Sequence, residues 1–209
     1  AAGYPLYLWL HGSASTTTDL RFIHGCQTWR HGGSSANGPP RGDRPTPAGA
    51  LVMHPFGRHC NGYKWAGEID VLDAVAHVQT LYPIDPERIV LAGFSMGGAG
   101  SWHIAAHYPS PWCAVHTGAG FVETIRYNSR EGSSLMDNKT YATAADCLAT
   151  MPPYEQRLLH LYDVPDYVRS LLHTPLIVYS GQEDAQMQAA LVMQEAFEAQ
   201  SAPMPHLIG

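Results

Sequence analysis

The sequence predicts an α/β fold, a mostly parallel sheet with helices on both faces in a three-layer sandwich. Short apolar runs alternate along the chain with longer segments of helical spacing. Strand, helix, strand, helix in that order implies right-handed crossovers and parallel strands. One run, Ile89 to Ala92, is apolar throughout, as expected of a strand buried on both faces. The glycine-rich turn Gly93-Phe94-Ser95-Met96-Gly97 then joins it to the next helical segment. With 209 residues, 45% of them apolar, the chain can build one average-sized core, so residues 1–209 are read as a single domain.

Tyr4 to Leu10 is the first strand and runs straight into His11-Gly12. Ser13 to Gly49 shows little periodicity and crowds Gly, Pro and Ser from His31 onward. That composition predicts one short helix followed by a long surface loop. Ala50 to Met53 is the second strand. Val71, Val75, Val78 and Tyr82 mark a helix over Trp65 to Leu81, which Pro83 stops. Asp85-Pro86-Glu87-Arg88 reads as a turn before the Ile89 strand. A helix over Gly97 to His107 ends before Pro109, and Ala114 to Thr117 is a fourth strand. Phe121 to Pro153 has no clear period and many turn formers, which predicts a lid or cap insert over residues 121–153. Arg157 to Leu172 is helical apart from a break at Pro165, Leu176 to Tyr179 is a fifth strand, and Gln186 to Gln200 is an amphipathic helix. No internal repeat is present.

Charged residues make up 14%, with 12 Lys+Arg against 18 Asp+Glu and a net charge of −6. Only two lysines occur, Lys64 and Lys139. A binder of phosphate backbones needs a basic stripe to release counterions, so nucleic acid is not an expected partner. No apolar stretch approaches the length needed to cross a bilayer, and no membrane insertion is expected. The start at Ala1-Ala2-Gly3-Tyr4, without Met, reads as a processed or excised product. Cys26, Cys60, Cys113 and Cys147 are widely spaced, which argues for thiols rather than a zinc ribbon or redox pair, with one or two disulfides left open.

The turn at Ser95 has the layout of a nucleophile elbow, a serine presented on a sharp strand-to-helix turn. Small residues at positions 93 and 97 are what so tight a turn demands, and the following helix aims its N-terminal dipole at a forming oxyanion. The Met96 N–H supplies one oxyanion donor by position. The second is expected from the loop after Tyr4 to Leu10, at Ser13 or Gly12. The acid should follow a later strand: Asp184 is the choice and Glu183 the runner-up, against the alternative that Asp184 only caps the helix after it. A base should come after the acid, and His206 is the one candidate. It sits at the start of a strand, whereas catalytic groups gather at the carboxyl ends, so it stands as the base only if the chain is complete.

Three stretches resemble the prolyl-oligopeptidase-like branch of the α/β-hydrolases, especially its bacterial esterase- and peptidase-like members. They are His54-Pro55-Phe56-Gly57-Arg58 with Asn61-Gly62, then Ala66-Gly67-Glu68-Ile69-Asp70-Val71, then Ile84-Asp85-Pro86-Glu87-Arg88-Ile89 leading into the elbow. The resemblance implies an α/β-hydrolase fold and a serine hydrolase acting on a small ester or a peptide, with no cofactor. It also implies that strands precede Tyr4 and that the catalytic histidine follows Gly209, so that the sequence reads as the middle of a hydrolase domain cut at both ends. Esters are favoured over peptides because 209 residues leave no room for the propeller that screens peptides in prolyl oligopeptidases. The alternative is a non-catalytic binding domain lacking the base.

His103 and His107 lie four apart on one helix, but no Glu follows His103 as the zinc-protease motif requires, and no metal site is expected. His54 and His59, flanking Arg58, are candidates for substrate contact, with loop hydrogen bonding as the competing role. Tyr63, Trp102 and Phe121 could line a pocket or belong to the core.

Overall fold

The computed structural model describes residues 3–13, 18–30, 47–58, 60–128 and 144–209. His59, Lys139, most of the expected surface loop and the middle of the expected insert lie outside the described residues. Strand β1 (Tyr4–Leu10) is followed by helix α1 (Asp19–Arg30), β2 (Leu51–Met53), α2 (Ala66–Leu81), β3 (Ile84–Phe94) and α3 (Met96–His107). Then come β4 (Ala114–Gly118), the short helices α4 (Thr124–Asn128), α5 (Ala144–Thr150) and α6 (Pro153–Leu159), a 3-10 turn (Val164–Tyr167) and α7 (Val168–Leu171). The chain continues with β5 (Leu176–Ser180), α8 (Met187–Ala199) and β6 (His206–Ile208).

The strands form one six-stranded sheet in the order β2-β1-β3-β4-β5-β6, and every neighbouring pair is parallel. The chain steps from β1 outward to β2, then returns past β1 to β3 and proceeds the other way. Reversing direction while keeping right-handed crossovers moves the connecting helix to the opposite face, so α1 belongs to one face and the later crossovers to the other. The reversal also makes the β1/β3 boundary a topological switch point, where the loops leaving two adjacent strands part and open a crevice.

Burial alternates along the strands. Leu6, Leu8 and Leu10 of β1, Ile89 and Leu91 of β3, Val115 of β4 and Leu176 and Val178 of β5 are buried on one side. Trp102, Ile104 and Ala105 of α3 and Ala189, Val192 and Met193 of α8 belong to the same core, and α3 and α8 pack on the 3-10 turn and α7. On the other side Tyr7, Trp9, Val90, His116 and Tyr179 are half-buried and Ile177 is exposed. Burying a side chain of this size stabilises by roughly 1.5–3 kcal/mol, so the inward set dominates the sheet's stability.

Two expectations are corrected. Asp85 to Arg88 lies within β3 rather than in a turn before it. Tyr4 pairs with Ile84 and Leu6 with Ile89, so the four residues form a wide bulge, held by the Glu87 N–H donating to Asp85 Oδ1 at 3.0 Å. The segment Arg157 to Leu172 is three short elements rather than one broken helix, because the turn around His160 to Asp163 interrupts it and Pro165 sits in the first turn of the 3-10 element that follows. None of the four cysteines is in a disulfide. Among the described residues no helix is long and apolar enough to cross a membrane.

Candidate active site

Ser95 sits at the carboxyl end of β3, at the switch point. Its φ of 57° and ψ of −120° are costly for any residue with a Cβ. The surroundings enforce them. The Ser95 N–H donates to the Gly118 carbonyl at 2.9 Å, a Cβ on Gly93 would strike the Gly97 carbonyl, and a Cβ on Gly97 would strike the Leu10 carbonyl. The turn therefore fits only with hydrogen at both positions. The Met96 N–H heads α3 directly after Ser95. Trp65, ahead of α2, has nearly the same backbone angles, 51° and −117°, so the geometry by itself does not identify a nucleophile.

The loop leaving β1 reaches the same place. Gly12 lies against Ser95, close enough that a Cβ on it would be 3.5 Å from the serine Cβ. Ser13 follows, exposed. The loop is held from behind by Tyr63, which sequence reasoning left between pocket and core. The Tyr63 hydroxyl accepts from the His11 N–H at 2.8 Å and points its own hydrogen toward the His11 carbonyl at 3.4 Å. Burial pushes the Tyr63 phenol far above its ordinary range, so it stays protonated and able to make both contacts. The His11 ring adds a contact to the Phe56 carbonyl at 3.0 Å. Tyr63 and Trp102 are fully buried and belong to the core, whereas Phe121 borders a cleft.

Asp184 lies on the loop after β5, half-buried, while Glu183 is exposed. Oδ1 of Asp184 accepts from the Gln186 N–H at 2.8 Å, so one oxygen does tie the loop to the start of α8. β3 and β5 are separated by β4, so the strands that lead into Ser95 and into the Asp184 loop stand two spacings apart, roughly 10 Å. His206 is elsewhere. It pairs with Val178, which is level with Thr117 and thus with Gly93, and it lies three spacings from β3, roughly 14 Å. Its Nε2 meets Ser180 Oγ at 2.6 Å, a contact between neighbouring strands in which Ser180 is buried.

Beyond the carboxyl ends of β4 and β5 is a shallow cleft bordered by Phe121, Tyr127, Arg126, Gln186 and Val192. The Phe121 and Tyr127 rings meet with centroids 4.4 Å apart, tilted by 30°. Arg58 pairs with Asp70 through two contacts of 2.9 and 2.8 Å. On the far part of α3, His103 and His107 do not act alone. Glu68 of α2 faces both rings. Burial alone would raise its carboxyl, yet the two neighbouring imidazoles of His103 and His107 outweigh that and hold it at about 2. Spacing within α3 could not reveal this partner, because it comes from another helix.

The profile of the prolyl oligopeptidase family matches residues 60–203, more than half the chain. A search of curated protein sequences finds no match. Among solved structures, the acylaminoacyl peptidase of Pyrococcus horikoshii superposes with a TM-score of 0.65 at 15% identity, over 100% of this chain and 33% of that one. A fluorophosphonate-binding serine hydrolase of Staphylococcus aureus gives 0.61 at 15% identity, over 100% and 76%. A ferulic acid esterase gives 0.62 at 14%, over 99% and 77%. At such identities the superpositions establish the α/β-hydrolase fold alone. The strained serine turn at the switch point of a parallel sheet and the family profile agree: the chain belongs to the prolyl oligopeptidase family of serine hydrolases.

Proposed function

We propose that the chain carries the nucleophile, oxyanion hole and acid of a hydrolase that cleaves small carboxylic esters through an acyl-enzyme. The observation that supports this most is the backbone of Ser95, held at φ 57° between Gly93 and Gly97 with the Gly12 loop alongside. Ser95 Oγ attacks the acyl carbonyl, and a histidine takes its proton. The carbonyl oxygen becomes an oxyanion that accepts from the Met96 and Ser13 N–H groups. The histidine returns the proton to the departing alcohol, and water repeats the attack on the acyl-serine. Asp184 orients that histidine and stabilises its charged form. On this reading the base enters the gap between Ser95 and Asp184 from a segment other than β6.

The Phe121 and Tyr127 rings that border the shallow cleft offer an apolar wall against which an aromatic or short acyl group could rest. The peptidase reading is the second one, favoured by the family profile over residues 60–203. A panel of aromatic and short-chain esters against peptide amides, run on the full-length protein, separates them. Faster turnover of the amides would reverse the preference. In the same assay His206→Ala should keep its reaction with a fluorophosphonate probe and its esterase turnover within a few-fold; loss of both in a folded variant would make His206 the base.

Tyr63 acts here as a positioning residue. Tyr63→Phe removes the acceptor of the His11 N–H and leaves a donor unpaired, at a cost of about 1–3 kcal/mol. The expected result is a kcat lowered roughly tenfold or more with KM little changed, because the loop's N–H groups meet the oxyanion mainly in the transition state. A rise in KM alone would show that Tyr63 shapes the pocket instead.

A further inference from the structure

Glu68 near the start of α2 and His103 and His107 on successive turns of α3 converge so that their ligand atoms all lie within 4.8 Å of one another. Nδ1 of His103 is 3.1 Å from Glu68 Oε2, and Nδ1 of His107 is 3.2 and 3.1 Å from the two carboxylate oxygens. Glu68 and His103 are only 4% and 2% exposed.

The other nitrogen of His103 decides what this means. Its Nε2 lies 2.9 Å from the Gly62 carbonyl, which can only accept, so Nε2 carries the hydrogen. In the neutral ring, Nδ1 is then a bare lone pair aimed at a carboxylate oxygen, two acceptors in contact inside the protein. A positive charge between them resolves the conflict, either as a second proton on His103 or as a metal ion shared with His107. The bond from Nε2–H to a backbone carbonyl is the contact that orients metal-bound imidazoles and sets their tautomer. The spacing of four places both rings on one helix face, and the Tyr162 ring packs on them at 5.1 and 5.2 Å, restricting water.

We propose that Glu68, His103 and His107 bind a divalent transition metal of the zinc class, through two Nδ1 atoms and one carboxylate. Imidazole with carboxylate suits such an ion, and three protein ligands leave one position for water. His103 lies eight residues beyond Ser95 along α3, roughly 12 Å, so the ion clamps α2 to α3 behind the elbow and acts on stability rather than on chemistry.

The test uses the full-length protein stripped by a chelator, titrated with Co2+ and followed by its visible absorption, then with Zn2+ by calorimetry. One ion per chain is expected, with an intense low-symmetry cobalt spectrum. Zinc at a hundredfold excess over its Kd should raise Tm by roughly 5–10 °C. Glu68→Gln and His107→Gln should abolish the band and the shift, whereas His160→Gln should keep both. Should Glu68→Gln fail to fold, the partly exposed His107→Gln decides. No stoichiometric uptake by the wild-type protein, or a band that survives in the folded variants, overturns the proposal. So does an NMR spectrum with a proton on His103 Nδ1 in protein that takes up no metal. Labelling at Ser95 is read separately, so this proposal can fail without the hydrolase reading failing.

Discussion

Ser95→Ala is expected to abolish reaction with a fluorophosphonate and to lower ester turnover by a factor on the order of 10⁶ where the full triad is operating, since members of a triad act as a unit. The residual rate would come from the oxyanion donors at Met96 and Ser13. The fold should survive, because Ser95 is only half-buried and alanine removes no more than a hydroxyl. Ser95→Gly should be equally inactive yet melt higher than Ser95→Ala, since glycine adopts a φ of 57° without the steric penalty that alanine retains. Differential scanning calorimetry with active-site labelling checks both. Labelling that persists in Ser95→Ala would place the nucleophile elsewhere and end the present reading.

Gly97→Ala is the substitution expected to cost most stability. Its added Cβ would overlap the Leu10 carbonyl, which is backbone in the central part of the sheet and cannot swing away as the tip of a long side chain could. Either β1 moves away from α3 or the elbow opens, and both disturb the core that Leu10, Trp102 and Tyr63 share. A loss of several kcal/mol is expected, in the exceptional range for a single methyl group, with expression in soluble form as the first readout and the urea midpoint as the second. Gly12→Ala is the control: its Cβ would meet Ser95 Cβ at an ordinary 3.5 Å, so stability should change little while turnover falls through crowding of the serine. A Gly97→Ala variant as stable as the wild type would show that the turn has slack its contacts do not reveal.

Much of the framework is legible along the chain. The run Ile89 to Ala92 reads as a central strand and the glycines around Ser95 as a tight turn, because a strand's apolar content and a turn's need for small residues are local demands. The ends of elements are less legible. β3 extends back to Ile84 since Ile84 pairs with Tyr4, and the Asp85 side chain folds the intervening residues into a bulge within the strand. Arg157 to Leu172 carries helical spacing, but one polar corner suffices to divide it, and periodicity does not record how a chain must bend to follow a core.

The candidate site divides in the same way. Ser95 and Met96 follow from a five-residue pattern, and Asp184 from the order of strands. Tyr63 and Glu68 do not, because each acts on a segment far from it in sequence: Tyr63 holds His11 across 52 residues, and Glu68 meets His103 across 35. His206 illustrates the converse. Its sequence order suits a base, while its register opposite Val178 assigns it to Ser180. The sequence by itself determined the alternation of strands and helices and the strained serine turn, because these depend on residues close together in the chain. Only the tertiary structure decided which loop stands beside Ser95, which tyrosine steadies that loop and which carboxylate faces the paired histidines, because those contacts arise from the strand order β2-β1-β3-β4-β5-β6 and the packing of α2 against α3.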